Sequence, residues 1–247
     1  MSKRGLSFSQ PLMNAAGTLG FAPDLRLPVE WSAFGAFVTN PLSLRPRQPA
    51  AEPALVDYPG GFLLHTGLPN PGFAHTLERY ASKWARADLP IIVHLMDDRP
   101  EEAARMAQAL ESIENIMAIE LGFAPLLADD ILRLAVEMVA GELPVIVRLD
   151  WEQVLRLGPQ MLLAGAEAVS LSSPRGALRV GNHLLAGRLF GPALFPQALW
   201  VVREAARSGI PVIGGGGVYS REEVEAMLEA GALGVQVDTV LWRGDFR

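Results

Sequence analysis

The sequence predicts a single (β/α)8 barrel spanning residues 1–247, with its eighth helix short or missing. Three observations predict it. Eight short β-rich runs alternate with longer amphipathic patterns. Three of the runs open the same way, with a proline and then a β-branched run: Pro90-Ile-Ile-Val, Pro144-Val-Ile-Val and Pro211-Val-Ile-Gly. Proline is tolerated at the first residue of a strand, where no ladder hydrogen bond is yet needed. Finally, the seventh run ends in four glycines directly before a capped helix.

The strands are expected near Leu12–Ala16, Ala36–Leu42, Ile91–Met96, Ala118–Phe123, Val145–Asp150, Ala168–Ser172, Val212–Gly215 and Gly234–Leu241. Several are almost wholly apolar, as parallel strands covered on both faces are. Helices are expected at about Phe73–Ala87, Glu101–Ile113, Asp129–Ala140, Gln197–Ser208 and Ser220–Ala230. Ala103, Met106, Ala107 and Leu110 share one face of the second, and Ile131, Leu134, Ala135 and Met138 one face of the third. The last opens with Ser220 and Glu223 in capping-box spacing and stops at Gly231. An irregular Pro/Gly-rich stretch starts after Ser43. Only Trp242–Arg247 follows the last strand. Periodicity alone leaves an open doubly wound sheet as the competing topology.

Composition narrows the function. Of 247 residues, half are hydrophobic, enough for one large core. The net charge is −6 with both signs scattered, so neither nucleic acid nor an anionic membrane is an expected partner. There is no cysteine, which excludes disulfides, thiolate metal sites and a catalytic thiol. No metal site is expected. No apolar run is long enough to span a bilayer, and polar residues interrupt the N-terminal stretch, so a cytoplasmic protein acting on a small molecule is the expectation. A homo-oligomer is compatible with all of this. Arg243-Gly-Asp245 spells an adhesion motif, read here as chance.

Four ordered segments carry a family resemblance: Asn14-Ala-Ala-Gly-Thr-Leu-Gly20; Gly35–Arg47 followed by Pro59–Gly72; Gly191-Pro-Ala-Leu-Phe-Pro-Gln-Ala-Leu199; and Ile210–Val218 running on to Gly231–Thr239. Together they resemble dihydroorotate dehydrogenases, nearer the soluble class. The resemblance implies an FMN-binding oxidoreductase barrel of pyrimidine biosynthesis, acting on a CH–CH bond, with its flavin at the C-terminal ends of the strands. It places the FMN phosphate at Gly214, Gly215, Gly216 and Gly217 and at the turn holding Thr239. It places the ring near Ala16, Gly17, Asn40, Arg148 and Gly191, and substrate against Gly67, Leu68 and Asn70. Glycine turns before a helix suit a phosphate, although the same turn also serves as a plain strand-to-helix connection.

The departures are as informative. Asp238 stands where the family has glycine, putting a carboxylate beside the phosphate. Arg148 replaces a lysine; an ion pair with Glu120 on the neighbouring strand is its alternative role. Asn40 replaces a lysine, and Leu64 and Gly122 replace substrate-binding asparagines. Ser172-Ser173 replaces a segment that carries one. Gly122–Pro125 offers no side-chain proton acceptor where the family keeps its base. His65 is the weak catalytic candidate, read first as a solvent-facing loop residue. His94 is expected to be a buried, hydrogen-bonded histidine. The leading expectation is therefore a flavin oxidoreductase with an altered substrate. A non-catalytic barrel serving as a binding or assembly subunit follows closely, and a flavin-free lyase or isomerase of a phosphorylated metabolite comes third.

Overall fold

The computed structural model describes residues 5–52, 54–96, 99–125, 127–244 and 246. Eight parallel strands close into a barrel: β1 (Leu12–Asn14), β2 (Phe34–Val38), β5 (Ile91–Met96), β6 (Ile116–Gly122), β7 (Val145–Leu149), β8 (Ala168–Leu171), β11 (Val212–Gly215) and β12 (Gly234–Val237). Strands β1 and β12 pair through Leu12–Asn14, so the open-sheet alternative is excluded.

Alternation along these strands divides the apolar residues into two cores. Outward-facing Phe37, Val93, Ile119, Val147, Val169, Val212 and Val235 meet the helices. Inward-facing Met13, Ala36, Val38, Ile92, Ala118, Ile146 and Ile213 fill the lower barrel. The helices are α1 (Phe73–Ala85), α2 (Pro100–Leu110), α3 (Asp129–Val139), α4 (Trp151–Leu163), α5 (Phe195–Arg207) and α6 (Arg221–Glu229). The α6 capping box forms as its spacing predicts, and Gly231 takes a φ of +104°.

The structure departs from the sequence expectations of secondary structure in several places. Helix α3 buries Leu132, Ala135, Val136 and Val139, while Leu134 and Met138 are exposed. The buried face is thus rotated, because Val136 and Val139 extend the apolar stripe past the residues first chosen. Helix α4 was not anticipated. Pro159 inside it argues against a helix by sequence, but an Asp150–Gln153 capping box starts it, and Gly158 lets Ile210 approach closely. The last barrel strand stops at Val237, and Thr239–Trp242 forms a 3-10 turn instead of more strand. The stretch after Ser43 is also more regular than its composition suggests. It holds the hairpin β3 (Ala54–Tyr58) and β4 (Gly61–His65), which pairs with a second hairpin, β9 (Arg175–Val180) and β10 (His183–Phe190), inserted after β8. The result is a four-stranded antiparallel sheet. Arg188 of β10 ties it to the barrel by donating to Asp150 (2.6 Å) and to the Ser173 carbonyl (2.6 Å). Asp245 of the Arg-Gly-Asp triplet lies outside the described residues.

Between β1 and β2 the register shifts, and Asn14 bridges the gap. Its side chain donates to the Val38 carbonyl (2.6 Å) and accepts from the Val38 N–H (3.0 Å). Asn14 is fully buried, so truncating it strands two backbone groups. Asn14→Ala should lower stability by about 2–4 kcal/mol in urea unfolding with the m-value unchanged. A loss below about 1 kcal/mol would show that this brace does not hold the barrel seam.

Candidate active site

One layer above the apolar floor, the inward positions turn polar. Ile92 is followed by His94, Ala118 by Glu120, Ile146 by Arg148 and Ala168 by Ser170. Gln236 joins them from β12. All converge on the Glu120 carboxylate, which is fully buried. Ser170 Oγ donates to its Oε1 at 2.7 Å and Gln236 Nε2 at 2.6 Å. His94 Nδ1 lies 2.6 Å from Oε2, and Arg148 Nη1 is 3.7 Å from the same oxygen. The His94 backbone N–H is held by Thr39 Oγ1. Burial raises the Glu120 pKa, but the His94 hydrogen bond and the nearby positive charge outweigh it and hold the carboxyl ionised. Burial keeps the His94 imidazole neutral against the pull of Glu120. An ionised carboxylate only accepts, so Nδ1 carries the proton.

Gly122 makes room for this ring. A Cβ at position 122 would lie 2.5 Å from His94 Nε2. The side chain missing from Gly122 and the histidine at 94 are two parts of one packing arrangement. Of the two roles the sequence leaves open to Arg148, the ion pair with Glu120 forms, at the end of a barrel strand.

The glycine turn is the second feature of the mouth. Gly216 and Gly217 have φ values of +101° and +73°, and neither N–H makes a hydrogen bond among the described residues. A Cβ on Gly217 would meet the Phe195 nitrogen at 2.5 Å and the Gly191 oxygen at 3.0 Å. One on Gly216 would meet Trp151 at 2.7 Å. The turn, Gly191 and the start of α5 are therefore packed together. Gly191 also presses on the β3–β4 turn, where a Cβ would lie 2.3 Å from the Gly60 oxygen.

The turn after β12 is different. Asp238 is only 3% exposed, and its Oδ1 accepts from the Thr239 N–H (2.5 Å) and from Thr239 Oγ1 (3.1 Å). Burial pushes the Asp238 carboxyl up to about 6 against those hydrogen bonds and the charge of Arg148. Gly216 and Gly217 thus present free donors that fit a phosphate, whereas the Thr239 donor is already taken by an internal carboxylate.

The remaining candidates are dispersed around the mouth. Ala16 packs against the inner core, and Gly17 turns beside Pro41. Asn40 exchanges hydrogen bonds with the Gly20 backbone. Gly67 and Leu68 both take positive φ. Asn70 is buried and braces its own loop, donating to Ser43 Oγ and the Leu68 carbonyl and accepting from the Gly72 N–H. His65 is not a loop residue. It ends β4, paired with Ala54 and partly buried. No group of three or more His, Cys, Asp or Glu among the described residues is arranged to hold a metal, and no described helix is long and apolar enough to cross a membrane.

The family model described as dihydroorotate dehydrogenase matches residues 2–123. The catalytic subunit of dihydroorotate dehydrogenase B (NAD(+)) from Pelobacter propionicus is 32% identical over 95% of this chain and 84% of that protein. Its counterpart from Bacillus caldolyticus is 30% identical over 95% and 82%. The chain belongs to the dihydroorotate dehydrogenase family. A crystal structure of a family enzyme from Eimeria tenella in complex with ferulenol shares the fold at a TM-score of 0.71 and 15% identity, covering 98% of this chain and 79% of that one.

Sequence reading missed Ser170, Gln236, Trp151 and Arg188 around the barrel mouth. A signal existed for the first two: polar residues recur at one inward position on neighbouring, otherwise apolar strands.

Two stability effects follow from the buried charges. Glu120→Leu leaves Arg148 buried without its carboxylate and should cost about 3–5 kcal/mol in chemical denaturation. A cost below about 1 kcal/mol would mean that Arg148 finds another partner. For Asp238, the folded protein keeps the proton up to about pH 6, whereas the unfolded chain releases it near the ordinary value of 3.8. The folded state therefore binds more protons between these values, and stability falls as pH rises through that window. Asp238→Asn should be more stable than the parent at about pH 8, by on the order of 3 kcal/mol, and no more stable at about pH 3. Equal melting behaviour at both pH values would overturn this.

Proposed function

We propose that this chain is an oxidoreductase of the dihydroorotate dehydrogenase family whose substrate is not dihydroorotate. One observation carries the reading: the buried His94–Glu120–Arg148 layer at the C-terminal mouth of the barrel. Placing an ionised carboxylate and a guanidinium there is costly, and apolar residues of similar size are often neutral or stabilising replacements. Perturbed, convergent charges in the mouth of a barrel are the mark of a working site. A flavin bound there would accept a hydride, and this reading assigns Ala16, Arg148 and the Gly214–Gly217 turn to hold it.

The substrate inference rests on chemistry that is missing. Oxidising a carbon–carbon bond also requires a base for the departing proton, and such a base is worth on the order of 10²–10⁴ in rate. Gly122-Phe-Ala-Pro125 has no side chain that accepts a proton. Asn40, Leu64 and Gly122 stand where the family resemblance calls for groups that grip a carboxylate and a pyrimidine. A site that has lost such partners binds the old substrate poorly.

A second reading draws on Asp238. With its carboxylate against Thr239, the barrel resembles one that has given up its cofactor to serve as a binding or assembly subunit. The visible absorption spectrum of the purified protein separates the two readings: a flavin band supports the oxidoreductase, and a colourless protein that takes up no flavin supports the subunit. For the substrate, flavin-loaded protein mixed anaerobically with dihydroorotate should show no rapid flavin bleaching. Fast bleaching would refute the proposed change of substrate, and its disappearance in His65→Ala would make His65 the base.

A further inference from the structure

Two internal carboxylates surround the glycine turn. Glu223 accepts from the Tyr219 N–H (2.6 Å) and the Ser220 N–H (3.0 Å), using the donors at the entry to α6. Asp238 takes the Thr239 N–H and hydroxyl, as described. Strands β11 and β12 run side by side in the register Gly215 opposite Gln236, so Asp238 sits at the strand end next to Gly216 and Gly217. The cation acting on Asp238 is Arg148, and its charge is already shared with Glu120 at 3.7 Å. A dianionic phosphate entering this corner meets a carboxylate in a dry environment, where like charges repel strongly.

The corner nevertheless keeps polar groups without partners. The N–H groups of Gly216 and Gly217 make no hydrogen bond among the described residues. Trp151, whose ring is in contact distance of Gly216, has a buried indole N–H with no acceptor. The two glycine N–H groups lie at the strand end beside one carboxylate acceptor. That set matches hydroxyl groups, each of which both accepts and donates.

We infer that Asp238 acts as a built-in anion in place of a ligand phosphate, so that this site selects a neutral, polyhydroxylated ligand: a flavin carrying its ribityl chain without the phosphate. The inference rests on the flavin-binding reading above and adds which flavin is bound. Asp238 is the specificity-determining residue. Hydroxyls of the chain would accept from the glycine N–H groups and donate to its carboxylate. The groups facing Asp238 are Arg148 from β7, Tyr219 from the turn before α6 and Thr239 beside it.

The test is equilibrium titration of flavin-free protein with riboflavin and with FMN at about pH 8, followed by flavin fluorescence. The parent protein should bind riboflavin at least about tenfold more tightly than FMN. Asp238→Gly should tighten FMN by at least about tenfold and weaken riboflavin, whose hydroxyl loses its carboxylate acceptor. Asp238→Asn keeps an acceptor for Thr239 without the charge and should show the same gain, which covers a failure of the glycine variant to fold. A third arm lowers the pH through 6. FMN should then gain affinity for the parent more than for Asp238→Asn, which corrects for protonation of the flavin phosphate itself. If FMN binds the parent as tightly as riboflavin, or if neither variant improves it, the selectivity is refuted while flavin binding stands. If neither flavin binds any of the three proteins, the flavin reading fails and takes this inference with it.

Discussion

The Glu120 carboxylate sits at the centre of the barrel, and much of the structure is arranged to keep its charge. An isolated carboxylate in an apolar interior would take up a proton rather than stay charged. Here three hydrogen bonds, from His94, Ser170 and Gln236, and the guanidinium of Arg148 keep it ionised. These partners come from β5, β8, β12 and β7, so the carboxylate links four strands besides its own. The apolar floor beneath it is uniform and places no demand on any single residue. The polar layer does, because each member satisfies another.

Other features of the mouth follow from that layer. The His94 ring extends under position 122, which therefore cannot carry a side chain without displacing it. Arg148 is drawn inward to the carboxylate and so gives only part of its charge to Asp238. Asp238 is left buried with insufficient compensation, and its carboxyl holds its proton to an unusually high pH. Gly122, His94, Arg148 and Asp238 thus belong to one packing and electrostatic arrangement.

The antiparallel sheet adds a cover that the barrel pattern does not require. Its two hairpins are separated by more than a hundred residues in sequence, yet β4 and β10 pair directly. Arg188 anchors the sheet to Asp150, the residue that also caps α4, whose first residue Trp151 lies against the glycine turn. Sheet, helix start and glycine turn are in this way connected through adjacent residues.

The sequence by itself determined the alternation of strands and helices, whereas closure into a barrel was decided by the pairing of β1 with β12. Almost wholly apolar runs, proline strand starts and the Ser220–Glu223 cap are local signals, and each states its own secondary structure. It also singled out Gly214–Gly217, Arg148, Asp238 and the segment Gly122–Pro125 as candidate positions, and it offered the Glu120–Arg148 pair, which forms, as one alternative. Only the tertiary structure decided how they combine. Hairpin pairing between β4 and β10, the position of His94 in the space left by Gly122, and the capture of the Thr239 N–H by Asp238 all depend on contacts between segments or on side-chain direction. Sequence patterns report which face a residue occupies. They do not report which donor a buried carboxylate will take, because that choice is set by the competition among all the polar groups the fold brings within reach.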